Sequence, residues 1–272
     1  MYPENFMAIP DSRKIALVTG ASSGIGAVYA DRLASRGYDL ILVARRRDRL
    51  QALATKISAS YGRHVDTLGA DLTDADDLAR VEHILASNPD IRVLINNAGL
   101  ARLQPLAQTP VADSMTQIAL NITALTRLTH AVLPGMLARN QGLIVNVASV
   151  LAVQSLPVSS VYSGTKSFVL AFSRGLQAEL AETGVKLQIV LPASTATEIW
   201  DESGVPLSAL RQDSVMTTEN LVDAALAGLD QGESITWPSV ADATLWDRYD
   251  EARAALFSAT QVGVPAPRYK IG

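Results

Sequence analysis

From residue 14 onward, short runs rich in Val, Ile and Leu alternate with longer segments in which apolar residues recur at helical spacing. Strands that alternate with helices are joined by right-handed crossovers, and the product is a parallel sheet covered on both faces. The pattern predicts strands over residues 14–19 (KIALVT), 38–44, 64–69, 92–97, 143–148, 186–191 and 234–238. Several are almost continuously apolar, as strands buried on both faces are. Leu50, Leu53, Ile57 and Tyr61 form one helical stripe. Leu78, Val81 and Leu85 form another, with Thr73 as the expected N-cap. Longer helices are predicted over 114–138, 160–182 and 218–229, and one more over 241–258. The expected fold is α/β: three layers, a doubly wound parallel sheet of about seven strands with helices on both faces.

At 272 residues, one domain is expected to span the chain, with a core over about 13–240, an irregular stretch over 194–216, and a final helix and tail over 241–272. That final helix lacks a core of its own, which points either to docking on another subunit or to surface cover. The composition is 48% hydrophobic and 18% charged, which excludes a disordered chain. A formal charge of −4 gives no broad field for nucleic acid. There is no cysteine, hence no disulfide, thiolate nucleophile or zinc–cysteine site, and no metal is expected. Residues 1–14 lack the basic and apolar regions of a secretory signal, and no run of roughly 18 apolar residues occurs. A cytoplasmic protein that neither contacts a membrane nor binds nucleic acid is the expectation.

TGASSGIG, Thr19 to Gly26, stands where the first strand ends and a helix begins. Gly20, Gly24 and Gly26 let the backbone turn and approach a pyrophosphate, while Ser22, Ser23 and Ile25 lie between them at the helix N-terminus, which attracts anions. In dinucleotide folds an acidic residue at the end of the second strand binds the adenosine ribose. Here Ala44 ends that strand and Arg45 follows, so a guanidinium is available to a 2'-phosphate, with Ser22 and Ser23 as added donors. This favours NADP(H) over NAD(H). The other reading is that Arg45, Arg46 and Arg47 open a solvated helix. Asp71, with Leu72 beside it, is placed either to accept from an adenine amino group or to shape the turn before Thr73. Asn97, Ala98 and Gly99 end the fourth strand, where they either line the cofactor or form a plain turn.

Tyr162 and Lys166 are four residues apart in a predicted helix, which sets them on one face about 6 Å apart along the axis. A nearby ammonium favours the phenolate, and lowering a tyrosine by about three pKa units needs roughly 4 kcal/mol. Ser149 closes the fifth strand at the same sheet edge, where its hydroxyl serves either a substrate oxygen or a turn. Asn121 sits inside a predicted helix, an unfavourable place for asparagine.

With TGASSGIG, Asp71, NNAG (96–99), Asn121, Ser149 and the YSGTK segment (162–166) in order, the chain resembles the shorter, single-domain branch of the short-chain dehydrogenase/reductase family over about residues 13–240. The resemblance implies a Rossmann-type seven-stranded sheet, an Asn121–Ser149–Tyr162–Lys166 catalytic set and a homodimer or homotetramer. It also implies that Tyr162 exchanges a proton with the substrate oxygen, that Ser149 stabilises that oxygen, and that Lys166 binds the nicotinamide ribose while lowering the tyrosine pKa. Asn121 would hold a water leading to Lys166. Members usually carry Pro-Gly after the sixth strand; here Pro192 precedes Ala193, and Thr195 and Thr197 remain to meet the nicotinamide carboxamide.

The segments 150–161 and 193–216 supply Leu151, Val153, Leu156, Ile199, Trp200, Val205 and Leu207, with Arg211 as a charged exception. They favour a small uncharged carbonyl or alcohol substrate with an apolar body. An NADPH-dependent oxidoreductase is the leading expectation. A non-catalytic NADP-binding sensor is the alternative, and an epimerase or dehydratase is disfavoured because it usually needs a larger substrate domain.

Overall fold

In the computed structural model residues 13–270 are described; the expectation drawn from residues 1–14 falls almost wholly outside them. The chain divides into two compact units after Pro238.

The first unit is built on one seven-stranded parallel sheet of order β3-β2-β1-β4-β5-β6-β7. The strands are β1 (Ile15–Thr19), β2 (Asp39–Ala44), β3 (Val65–Gly69), β4 (Ile91–Asn96), β5 (Gly142–Val147), β6 (Val185–Val190) and β7 (Ile235–Thr236). All of β1 is buried, as its apolar run Ile15–Val18 requires of a central strand. β3, at the edge, exposes Asp66 and Thr67, while β7 pairs over only Ile235 and Thr236, shorter than the expected 234–238.

Helices α1 (Gly24–Ser35), α2 (Arg47–Tyr61) and α3 (Ala75–Ser87) fill the first crossovers. They are followed by α4 (Val111–Ile118), α5 (Leu125–Ala138), α6 (Ser160–Glu179) and α7 (Thr218–Asp230). Helix α1 packs on α2 and α7, α3 on α5, and α4 on α6, giving the helix layers of a doubly wound fold. Apolar faces of β1, β2, β4, α1 and α7 meet in one core that contains Val18, Leu42, Ile95, Tyr29 and Val222.

Two expectations are corrected. The N-cap of α3 is Asp74, whose carboxylate accepts from the backbone N–H groups of Asp76 and Asp77; Thr73 instead donates to Asp71 through both N–H and hydroxyl. The helix expected over 114–138 begins earlier, at Val111, and is interrupted by a π-helical segment over Ala119–Ala124 that contains Asn121. Such bulges let a helix re-aim a polar side chain.

The second unit contains α8 (Thr244–Ala259), none of whose residues is buried, and a short turn at Pro267–Tyr269.

Candidate active site

The C-terminal strand ends open onto one cleft of about 680 Å3, reaching from Arg45, Asp71 and Leu72 at one end to Ser149 and Tyr162 at the other. It lies beside β1 and β4, where the sheet order reverses and α/β folds receive ligands.

The β1–α1 turn forms one wall. Gly20 and Gly24 take φ values of 66° and 56°, which glycine adopts without strain. A Cβ on Gly26 would lie 2.5 Å from the carbonyl oxygen of Gly20 and from the Asn97 amide, so the third glycine lets α1 start hard against the turn. Ser23, at the N-cap of α1, makes no capping side-chain bond. The first-turn N–H groups therefore remain available to an anion. Thr19 ties the turn to the next strand: its hydroxyl donates to the Ile95 carbonyl (3.1 Å) and accepts from the backbone N–H groups of Asn97 and Ala98 (both 3.0 Å). The Asn97 side chain donates back to the Thr19 carbonyl at 2.9 Å. Asn97 thus shapes the wall as well as lining it.

Arg45 lines the cleft, but the guanidinium that reaches the glycine turn is that of Arg46. Its Nη2 lies 2.9 Å from Ser22 Oγ and 2.6 Å from Ser23 Oγ, and its Nη1 donates to Glu198 at 2.5 Å. The uncapped helix terminus, the glycine turn and these cations suit the phosphates of a dinucleotide. Asp71 Oδ1 accepts from Thr73 at 2.9 and 2.7 Å, the turn geometry expected of it, while the residue also lines the cleft.

At the other end α6 presents Tyr162 and Lys166 on one face, with the ammonium 5.8 Å from the tyrosine ring centroid. Lys166 is buried and its Nζ donates to the Val147 carbonyl at 2.9 Å. Burial lowers it to about 8. Burial likewise pushes half-buried Tyr162 up to about 12, opposed by its hydrogen bond with Ser149. Here the expectation that Lys166 lowers the tyrosine is not met by the protein alone: desolvation outweighs the hydrogen bond. Ser149 Oγ also accepts from the Leu151 N–H at 3.1 Å.

Asn121 is buried and fully engaged. Its Oδ1 accepts from the Leu100 N–H (3.0 Å), and its Nδ2 donates to the Leu100 carbonyl (2.9 Å) and to Thr165 Oγ1 (3.0 Å). A Cβ on Gly99 would stand 3.3 Å from Asn121 Oδ1 and 3.6 Å from Lys166 Nζ, which explains a glycine at the junction between them.

After β6, the Pro192 carbonyl accepts from Val150 N–H at 2.9 Å, and Thr195 bridges to Met216 in a two-residue parallel pairing. Ala193 does not take a left-handed φ, so its Cβ costs the loop nothing. Thr195 Oγ1 donates to the Ala193 carbonyl, whereas Thr197 turns the other way, its methyl group against Gly24. Of the expected substrate wall, Leu151, Leu156, Ile199, Trp200 and Val205 line the cleft, while Val153, Leu207 and Arg211 do not. Sequence reasoning missed Leu100, Leu103 and Leu120, which complete the apolar wall, and Arg102 beside them. They come from the segments after β4, whose apolar residues carry no signal separating a wall from a core.

Among the described residues no helix is long and apolar enough to cross a membrane, and no cluster of three His, Cys, Asp or Glu could hold a metal ion.

A family model described as short chain dehydrogenase matches residues 14–205. A short-chain dehydrogenase from Sphingobium yanoikuyae, solved in complex with NADPH, is 45% identical, with 93% of this chain and 98% of that one covered and a TM-score of 0.90. The bulky-bulky ketone specific alcohol dehydrogenase from Comamonas testosteroni is 39% identical, covering 95% and 99% of the two chains at a TM-score of 0.87. The very-long-chain 3-oxoacyl-CoA reductase-B of Danio rerio is 36% identical over 229 residues, 82% of this chain and 71% of that protein. Against other curated reductases of this kind the chain spans 60% of their length. The chain belongs to the short-chain dehydrogenase/reductase family, a class of NAD(P)-dependent oxidoreductases.

Proposed function

We propose that this protein is an NADP(H)-dependent carbonyl reductase or alcohol dehydrogenase for a substrate with a bulky apolar body. The observation that carries the reading is the convergence of Ser149, Tyr162 and Lys166 at one end of a cleft whose other end holds the glycine turn and Arg46. When bound, the nicotinamide supplies or accepts hydride at the carbonyl carbon.

Gly20, Ser22, Ser23, Gly24, Ile25 and Gly26 would hold the pyrophosphate and the adjoining ribose, with Arg45 and Arg46 facing a 2'-phosphate. Asp71, Leu72, Ala98 and Gly99 would flank the adenosine, and Pro192 with Thr195 the nicotinamide. Tyr162 donates a proton from its Oη to the substrate oxygen. Held near 12 by burial, it is a neutral phenol throughout the neutral range, the form reduction requires. Ser149 hydrogen-bonds the same oxygen. Lys166 stabilises the phenolate left behind, and Asn121 holds the Leu100 backbone at the mouth of the site, with a water leading to Lys166.

The NADPH complex of the Sphingobium protein supports the cofactor, and the ketone specificity of the Comamonas enzyme supports a bulky substrate. Relatives named as reductases and dehydrogenases do not favour the non-catalytic alternative. Exposed Val111 and Met115 on α4 and Phe168 on α6 support association of copies as a homodimer or homotetramer, and the lack of cysteine fits the cytoplasm. Oxidation of NADPH against a panel of bulky ketones, in wild type and Tyr162→Phe, tests the chemistry. Turnover is expected to fall by about 100-fold or more in the variant while NADPH still binds; equal rates would remove Tyr162 from the mechanism.

A further inference from the structure

The cations beside the glycine turn already hold an anion of the chain's own. Glu198 opens the short helical turn Glu198–Trp200 after β6. One carboxylate oxygen accepts from Arg46 Nη1 and the other from Arg49 Nη1, both at 2.5 Å. Ser23 adds a further hydrogen bond, and these partners hold the carboxyl at about 2, so it is charged at every working pH. The same Arg46 guanidinium bonds Ser22 and Ser23. The neighbouring Thr197 methyl packs on Gly24, which keeps Glu198 over the turn.

From this geometry we infer that Glu198 is a specificity-determining residue, whose carboxylate competes with the 2'-phosphate of the dinucleotide for Arg46 and Arg49. A dianionic phosphate placed at Ser22, Ser23 and Arg46 meets a fixed negative charge one guanidinium away, and full pairing requires that charge to leave. NADH has no group at that point and leaves the clasp closed. Glu198 therefore weakens NADPH binding selectively and moderates the preference that the arginines create. The inference rests on the NADP(H) reading.

Both pairs are solvent-exposed, so each is of modest strength, and their joint removal is expected to change affinity by about tenfold. The test is equilibrium titration of the full chain with NADPH, NADH and 2',5'-ADP, comparing wild type, Glu198→Gln, Arg46→Ala and the double variant. Glu198→Gln is expected to raise the NADPH-over-NADH affinity ratio about tenfold and to tighten 2',5'-ADP binding equally. In the Arg46→Ala background, where only the Arg49 contact remains to be released, the same substitution is expected to raise the ratio by clearly less, as residues that share a contact do. A wild type that prefers NADPH, with a ratio that Glu198→Gln leaves unchanged or lowers, overturns the role of Glu198 alone. Failure of wild type and Glu198→Gln alike to bind 2',5'-ADP overturns the cofactor reading and this inference with it.

Discussion

Replacing Lys166 with methionine should make the protein more stable while removing its activity. Lys166 is 6% exposed, and burial lowers its pKa from an ordinary 10.5 to about 8. At about 1.4 kcal/mol per pKa unit, keeping it charged in the folded chain at pH 7 costs about 3 kcal/mol. The sign follows from proton binding. Below about 8 both folded and unfolded chains carry the proton and the penalty is complete. Between about 8 and 10.5 the unfolded chain binds more protons than the folded one, so wild-type stability rises with pH. Methionine has a similar length and no charge to bury. The substitution forfeits the hydrogen bond to the Val147 carbonyl, about 1 kcal/mol, which leaves a net gain of about 2 kcal/mol, or about 5 °C in Tm. Urea unfolding of wild type and Lys166→Met without cofactor, at pH 7 and at about pH 9.5, measures it. The variant should lead at neutral pH and lose most of that lead in base. A variant no more stable than wild type at pH 7, or a lead that does not narrow, would refute the claim that this lysine is held charged against its environment.

Other outcomes follow from single contacts. Gly26→Ala sets a methyl group 2.5 Å from the Gly20 carbonyl, a backbone atom that cannot swing away. Thermal melts should show a loss of about 2–3 kcal/mol, accompanied in titrations by weaker NADPH binding. Asn121→Leu strips the part-buried Leu100 N–H and carbonyl of their side-chain partner, so a cost of about 1–2 kcal/mol is expected in urea unfolding. Turnover at a temperature where the variant is fully folded should still be reduced, because Leu100 lines the cleft. With Tyr162 near 12 and Lys166 near 8, ketone reduction should hold steady from pH 6 to about 8 and decline above it as the phenolate loses its charged neighbour. Lys166→Arg, which keeps its charge, should move that decline to higher pH in a kcat/KM profile.

Periodicity made the sheet legible because its central strands are buried on both faces and are mostly apolar, so that single polar residues such as Asn146 in β5 and Gln188 in β6 do not hide the pattern. At the edges the signal thins: β3 exposes the consecutive Asp66 and Thr67, and β7 keeps only Ile235 and Thr236 in register, since an edge strand with one neighbour needs less apolar sequence. The π-helical segment at Asn121 was not legible, because its cause is tertiary. The asparagine is drawn inward by the Leu100 backbone and Thr165, partners 21 and 44 residues away, and helix propensity sees neither. Thr73 lost the cap of α3 to Asp74 for a local reason instead: Asp71, two residues earlier, engages the Thr73 hydroxyl and leaves the Asp74 carboxylate to meet the helix.

The arginine cluster shows why the chemistry of a site can be read from sequence when its assignment cannot. Three consecutive cations announce an anion, yet consecutive residues at a strand-to-helix junction point in different directions. Arg46 stands at the N-cap of α2, with φ −86° and ψ 87°, and its guanidinium reaches Ser22 and Ser23. Glu198 lies in the loop after β6, 152 residues from Arg46, and no local pattern links the two. Long-range charge pairing of this kind is set by the closing of the sheet: β1 and β2 bring the glycine turn and the arginines to one edge, and β6 delivers the carboxylate to the same edge. Residues that recognise a cofactor through local backbone geometry are therefore written in contiguous motifs. Residues that tune its affinity reach the site from separate strand ends, and become visible only when the sheet order is known.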